Sequence, residues 1–338
     1  MAQEPRVIAT VFCKQDRHRS PEDWQKVANH IQQEFQSQDN STSNQTLQTR
    51  FLDQVAKNAT TGRVAEISIP VPKPLTLAAC KTHIQSLQTF EVDHALEIVA
   101  QPSNLHTLHK TPGLAIFDMD STLIQQEVID ELARAVGCYD AVSAITEAAM
   151  RGEEPYTDFE ASLRARVALL KGVPTSIWED LKREGRITFT PGAAELVGFL
   201  RGRGWRGAVL SGGFVNLAEW VKETLGLDYA FANHLVADEM AGVLTGELVP
   251  GKPIIHGEKK RELLLEIAQK EGIERERVVA VGDGSNDLPM MGVAGLGVAF
   301  NAKPKVQAAA PVRLNERSLR DVLYVLGFDE GEIRGVEG

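Results

Sequence analysis

Cysteine is scarce in this chain, and what there is excludes two common architectures. Cys13, Cys80 and Cys138 are widely spaced and odd in number, so neither a disulfide framework nor a thiolate zinc site is expected, and a reducing compartment is. Long hydrophobic runs are missing too. No stretch approaches the roughly 18 apolar residues of a bilayer span. The N-terminus, MAQEPRVIATVFCKQD, lacks a basic segment leading into a long apolar core, so secretion is not expected. The sequons at Asn40, Asn44 and Asn58 should accordingly stay unglycosylated. Basic charge is in deficit: 36 lysines and arginines face 46 aspartates and glutamates, a net charge of −10. Such a balance argues against nucleic acid or an anionic membrane as the main partner. These absences leave a soluble cytoplasmic protein as the expectation.

What is present is an ordinary globular composition, 43% hydrophobic and 24% charged over 338 residues, enough for one large or two medium domains. Residues 1–104 read as a small α+β module. Arg6–Cys13 is a short apolar strand. Ser20-Pro-Glu-Asp supplies an N-cap, a proline at the first helical position and acids in the first turn. Trp24, Val27, Ala28, Ile31 and Phe35 come next at helical spacing. Ser37–Thr49 is polar and of low complexity, a loop. Val64–Val71 and His94–Ala100 read as strands, Leu75–Phe90 as a helix, and Leu105–Pro112 as the join to the second domain.

Residues 112–330 form that second predicted domain, where apolar strands alternate with helices. Strands are predicted at LAIFDMD from Leu114, GAVLSGG over 207–213, VVAVGDG over 278–284 and GLGVAF over 295–300. Near-continuous aliphatic runs bounded by glycine, with helices between, predict an α/β fold with a parallel sheet buried on both faces. Ligands of such sheets lie beyond the carboxyl ends of the strands. That is where Asp118, Asp120, Ser211 and Asp283 fall. The first two strands are separated by far more chain than a crossover helix needs, so residues from about 125 to 188 must hold extra helices, placed to act as a lid.

A lone D-x-D occurs by chance on exposed turns. Here the pair comes after an apolar approach, and Gly282-Asp-Gly-Ser-Asn-Asp287 adds more acid at the same sheet edge. Carboxylates crowded at low dielectric repel one another unless a cation balances them. Hard oxygen donors suit Mg²⁺, which commonly also binds a phosphate. Ser211-Gly-Gly213 leads into a helix and can form an anion site, and Lys259 or Lys260 can neutralise charge on phosphoryl oxygens. Judged on position alone, Glu127, Arg164 and Arg166 are solvated charges, and Met150 and Phe159 are core. His83, His94, His106, His109, His234 and His256 show no ligand spacing and receive no chemistry.

DMDST, Ser211-Gly-Gly and GDGSNDLPM, with a lysine before the last, resemble the haloacid-dehalogenase superfamily of aspartate-nucleophile phosphatases. FDMDSTLIQQEVIDELA, the stretch Ile145–Leu170, VLSGGF and LDYAFANHL narrow the resemblance to the phosphoserine phosphatases, over about residues 112–326. It implies a Rossmann-like core with a helical cap inserted after the first core strand. Asp118 would be the nucleophile and Asp120 the acid and base. Mg²⁺ would be held by Asp118, the backbone carbonyl of Asp120, and Asp283, with Asp287 supporting metal and lysine. Ser211, Gly212 and Lys260, preferred to Lys259, match phosphate-binding positions, and Asn286 lines the site. Glu127 matches the ammonium-binding residue and Arg166 the carboxylate clamp, while Met150 and Phe159 match residues that close the cap. Ser285 stands where relatives commonly carry alanine.

The resemblance implies hydrolysis of O-phospho-L-serine, the last step of serine biosynthesis, with a small-molecule substrate and a homodimer as an open option. Two alternatives carry distinct signatures. Another small-molecule phosphatase or phosphotransferase of the superfamily would differ in substrate or in transfer to an acceptor alcohol. An amino-acid-sensing regulatory protein would carry a broken motif set, whereas Asp118 and Asp283 are both in place. An ACT-like role for residues 1–104 rests on the order of elements alone; a structural or dimerising appendage is the preferred expectation.

Overall fold

A computed structural model describes residues 4–14, 19–36, 47–56 and 59–335. The three sequon asparagines, Asn40, Asn44 and Asn58, and positions 37–46 of the expected polar loop lie outside the described residues. In the N-terminal part, β1 (Arg6–Cys13), β2 (Gln48–Phe51), β3 (Val64–Pro70) and β4 (Leu96–Pro102) make an antiparallel sheet in the order β2-β3-β1-β4. Ser20 caps the helix Pro21–Gln36 by accepting from the Asp23 amide at 3.1 Å. The apolar stripe from Trp24 to Phe35 is buried.

Three local expectations need correction. The polar stretch ends in strand β2, an edge of four residues whose single apolar side chain, Phe51, gives too short an alternation to detect. The helix expected over Leu75–Phe90 starts at Leu77, after Thr76 caps the Ala79 amide at 3.2 Å, and breaks at Leu87 before a second helix, Gln88–Asp93. The expected join carries a helix of its own, Ser103–Leu108.

β1 is apolar almost throughout because both faces of its sheet are covered. Val7, Ala9, Val11 and Cys13 pack against Trp24, Ile31 and Cys80. On the opposite face Phe12, Val64 and Val99 join the core that holds Leu323, Val325 and Phe328 near the C-terminus. Polar contacts frame this seam. Arg63 reaches Glu316 at 2.9 Å and Asp321 at 2.7 Å, and the Gln101 amide donates to the Val325 carbonyl at 2.7 Å.

The larger sheet is built from β5 (Leu114–Phe117), β6 (Arg206–Phe214), β7 (Tyr229–Asn233), then, after a hairpin of β8 (Leu235–Asp238) and β9 (Val243–Leu248), from β10 (Val278–Gly282), β11 (Leu296–Phe300) and β12 (Val312–Leu314). Its order is β12-β11-β10-β5-β6-β7, parallel throughout. The four expected strands are present; β7 and β12, half-exposed or only three residues long, were not foreseen. From β5 the chain first winds outward through β6 and β7, then returns to β5's other side through β10. The switch point therefore lies beside β5, where a ligand crevice opens.

Between β5 and β6 stand five α-helices: Val128–Ala135, Tyr139–Arg151, Phe159–Ala168 and Ile177–Arg183 make the insert, and Ala193–Gly202 leads back into β6. Entry and exit run side by side: the Gln125 amide donates to Thr188 at 3.0 Å, and the Thr190 amide to Leu123 at 2.9 Å. The β8–β9 hairpin is stitched to this insert, with the Gly172 amide donating to Leu244 at 2.9 Å and the Leu244 amide to Val173 at 2.8 Å. Among the described residues no helix is long and apolar enough to cross a membrane.

Candidate active site

Asp118 is the first residue beyond β5, and its amide still donates to the Val281 carbonyl of β10 at 2.9 Å. Ladder register, with Phe117 opposite Val281 and Val209, places it level with Gly282 at the end of β10 and with Leu210, the residue before Ser211, in β6. Lys260, fully buried on the helix Gly257–Glu271, donates to Asp118 Oδ1 at 2.6 Å and to Asp287 Oδ1 at 2.7 Å. Burial alone would lower the Lys260 pKa; the two carboxylates outweigh it and raise it. Lys259 turns away, pairing with Glu262 of its own helix at 3.0 Å. Asp287 Oδ2 accepts from the Gly284 amide at 2.9 Å, and a side chain at Gly282 would strike Asp287 at 2.5 Å. That strand end can only be glycine.

Oxygens of Asp118, Asp283 and Asp287 lie within 4.8 Å of one another. Burial pushes Asp283 up to about 7, helped by Asp287 and Glu127. Asp118 is raised by burial and by Asp287, against the pull of Lys260. One lysine thus faces three crowded carboxylates, and the surplus negative charge is what a dication would balance. Because Asp287 is already tied to Lys260 and Gly284, Asp118 and Asp283 are the better placed donors. Oxygen-only donors of this kind fit Mg²⁺.

Asp120 stands apart from that cluster. Its Oδ2 accepts from the Val128 amide at 3.1 Å, while Oδ1 is buried without a hydrogen-bond partner. Burial raises its pKa, and Glu127 and Asp118 add to the effect. A protonated carboxyl at this position can donate into the crevice. Ser211 is buried in β6 just past the residues that pair with β5, its hydroxyl accepting from the Gly213 amide at 2.8 Å. The Gly212 carbonyl is held by Asn233 at 2.8 Å, and the aromatic edge of Phe159 would lie 3.4 Å from a side chain placed at Gly212. The insert therefore closes onto the strand end through Phe159.

Glu127 is exposed and accepts from the Ser121 hydroxyl at 2.7 Å. Arg166 is half-buried, its Nε donating to its own helix at Ser162 (3.3 Å). Burial lowers its pKa, while Glu127, Asp130 and Asp120 pull upward, which puts these acids within its electrostatic reach. Arg164 faces solvent and pairs with Glu160 at 2.6 Å. Asn286 is half-buried on the loop after β10, its backbone 3.0 Å from where a side chain at Gly257 would project. Met150 corrects the core expectation: it is 60% exposed, in contact with the Lys303 ammonium at 3.2 Å. It stands in the last turn of a helix whose buried side is carried by Val142 and Ala148.

Sequence reasoning missed three supporting residues. Thr122 donates to Asp283 at 3.3 Å. Ser121 holds Glu127, and Asn233 is fully buried, joining Gly212 to the Ile255 amide, from which its Oδ1 accepts at 2.9 Å. The first two stand in the DMDST string itself. Asn233 stands in the stretch LDYAFANHL that carried the resemblance, but at the end of an unforeseen strand it was assigned no role.

The family model of the haloacid dehalogenase-like hydrolases matches residues 115–292. A phosphoserine phosphatase of Saccharomyces cerevisiae is 40% identical over 294 residues, covering 83% of this chain and 93% of the relative. A HAD family hydrolase from Salmonella enterica serovar Typhi superposes with a TM-score of 0.75 at 26% identity, covering 95% of this chain and 98% of its own. A phospho-aspartyl intermediate analogue of phosphoserine phosphatase is 45% identical with a TM-score of 0.57, covering 64% of this chain and 99% of its own. The chain belongs to the haloacid dehalogenase-like hydrolases and, within them, to the phosphoserine phosphatase family.

Proposed function

We propose that this protein hydrolyses O-phospho-L-serine to L-serine and phosphate through a phosphorylated Asp118. The observation that carries the reading is the buried Asp118–Lys260–Asp287 contact, with Glu127 at the entry to the helical insert and Arg166, on its third helix, within electrostatic reach of Glu127 and Asp120. Lys260 occupies Asp118 Oδ1 and leaves Oδ2 to attack phosphorus. The bond from phosphorus to the serine oxygen breaks as Asp120 delivers its proton to that oxygen. Water then attacks the acyl phosphate, Asp120 takes its proton, and phosphate leaves Asp118 free. Ser211, Gly212, Lys260 and Asn286 receive the phosphoryl oxygens. Mg²⁺ held by Asp118, Asp283 and the Asp120 carbonyl, with Asp287 behind, would neutralise charge on the phosphate.

Glu127 takes the ammonium of the substrate and Arg166 grips its carboxylate, the planar fork matching two oxygens. Phe159 and Met150 close the cap over the bound amino acid. Residues 1–104 serve as a structural module, and the unpaired cysteines support a cytoplasmic setting.

The test is phosphate release from a panel of phosphorylated amino acids and sugars. Phosphoserine should be strongly preferred, chelation should abolish release, and added Mg²⁺ should restore it. Asp118→Asn should lose at least roughly 10³-fold in kcat. Near-normal turnover by that variant, or a preference for sugar phosphates, would overturn the reading.

A further inference from the structure

The residue after Asp120 adopts a conformation that its side chain does not favour. Ser121 has φ +55° and ψ +7°, the left-handed region, at the tight turn Met119–Leu123 that carries the chain from β5 into the insert. A serine there costs on the order of 1–2 kcal/mol that a glycine would not. What glycine lacks is the hydroxyl, and that hydroxyl donates to Glu127 Oε1 at 2.7 Å. Among the described residues it is the only hydrogen bond the Glu127 carboxylate receives, and no ion pair holds it. Glu127 is also exposed, immediately before the helix Val128–Ala135. A long, solvated glutamate left alone samples many rotamers and must lose that freedom to bind a ligand.

We propose that Ser121 is a positioning residue for substrate selection: it pre-orders the Glu127 carboxylate toward the ammonium of the incoming amino acid, and the strained turn is retained to present its hydroxyl. This rests on the reading of Glu127 as the ammonium acceptor. The same turn carries Asp120 on one side of Ser121 and leads into Glu127 on the other. The group that handles the leaving oxygen and the group that checks the amine are thereby fixed by one backbone segment. Substrates without an ammonium gain nothing from the arrangement.

Ser121→Gly is the informative variant, since glycine keeps the backbone conformation and removes only the hydroxymethyl group. For O-phospho-L-serine, kcat/KM should fall about tenfold, carried mainly by KM, as loss of a hydrogen bond to a charged group that aids binding predicts. For 3-phosphooxypropanoate, which is phosphoserine with hydrogen in place of the ammonium, kcat/KM should be unchanged. In a Glu127→Gln background, Ser121→Gly should add little further loss on phosphoserine. Equal losses on both substrates would assign Ser121 to the turn alone and overturn the proposal, as would an unchanged KM for phosphoserine. A wild-type protein that ignores phosphoserine would instead remove the functional reading itself, and this proposal with it.

Discussion

At the scale of single residues the site is governed by one buried lysine. Lys260 is fully enclosed and balances two carboxylates. Replacing it by methionine keeps much of the volume but leaves Asp118 and Asp287 buried without their cation. Lys260→Met should therefore lower unfolding stability by about 3–5 kcal/mol, read from urea titration at neutral pH, besides reducing turnover by roughly 10²–10³-fold. A small stability change would mean that the two acids share a proton, or relax toward water, more readily than their packing suggests. The legible part of the site is also a matter of residues. Asp118, Asp120, Asp283 and Asp287 announced themselves because acids ending apolar strands are anomalous. Glu127 and Arg166 did not: one is exposed and the other half-buried, so nothing in their local pattern separates them from ordinary surface charge, and only the family resemblance singled them out. Met150 misled for the opposite reason, an apolar residue on an amphipathic helix that nonetheless faces outward.

At the scale of elements, the strands that end at the chemistry were readable and the peripheral ones were not. β5, β6, β10 and β11 are buried runs of aliphatic residues. β2, β7 and β12 lie at sheet edges, short or half wet, and their periodicity is correspondingly weak. The β8–β9 hairpin was invisible because its partner is the insert, a contact no local pattern encodes. Its fit is close: Gly246 has φ +85°, and a side chain there would lie 3.0 Å from the Ala168 carbonyl. Gly246→Ala should destabilise the hairpin by about 1–2 kcal/mol. Hydrogen–deuterium exchange should then quicken over residues 159–175 while β5 and β10 stay protected. Uniformly faster exchange would show that the hairpin and the central sheet open together. If the insert must move to admit substrate, the hairpin moves with it or sets the limit of its travel.

At the scale of the whole molecule, the two sheets meet through a seam that holds titratable groups. His109 is fully buried just beyond the helix Ser103–Leu108, where burial and the nearby His106 push its pKa down to about 4. Burial alone would raise Glu66, but His106 and Arg50 hold it down at about 2. In both cases the unfolded chain takes up its proton first as the medium is acidified. His109 should withdraw stability between pH 6.5 and 4, about 3 kcal/mol in all, and Glu66 should continue the loss from pH 4.5 toward 2. Urea midpoints measured across this range should fall, and His109→Leu should flatten the upper part of the curve. A midpoint that holds steady between pH 6.5 and 4 in the wild type would show that His109 accepts its charge in place.

The seam has an architectural consequence. Phe12, Leu52, Val64 and Val99 share one continuous core with Leu323, Val325 and Phe328, and the Glu330 amide is anchored on the Leu52 carbonyl at 2.7 Å. A catalytic half cut free of the first hundred residues would present that apolar patch to water. Acquiring or discarding the front module is thus a change of surface chemistry as well as of length, and any shorter version of this fold needs polar residues where the long one keeps aromatic and aliphatic ones.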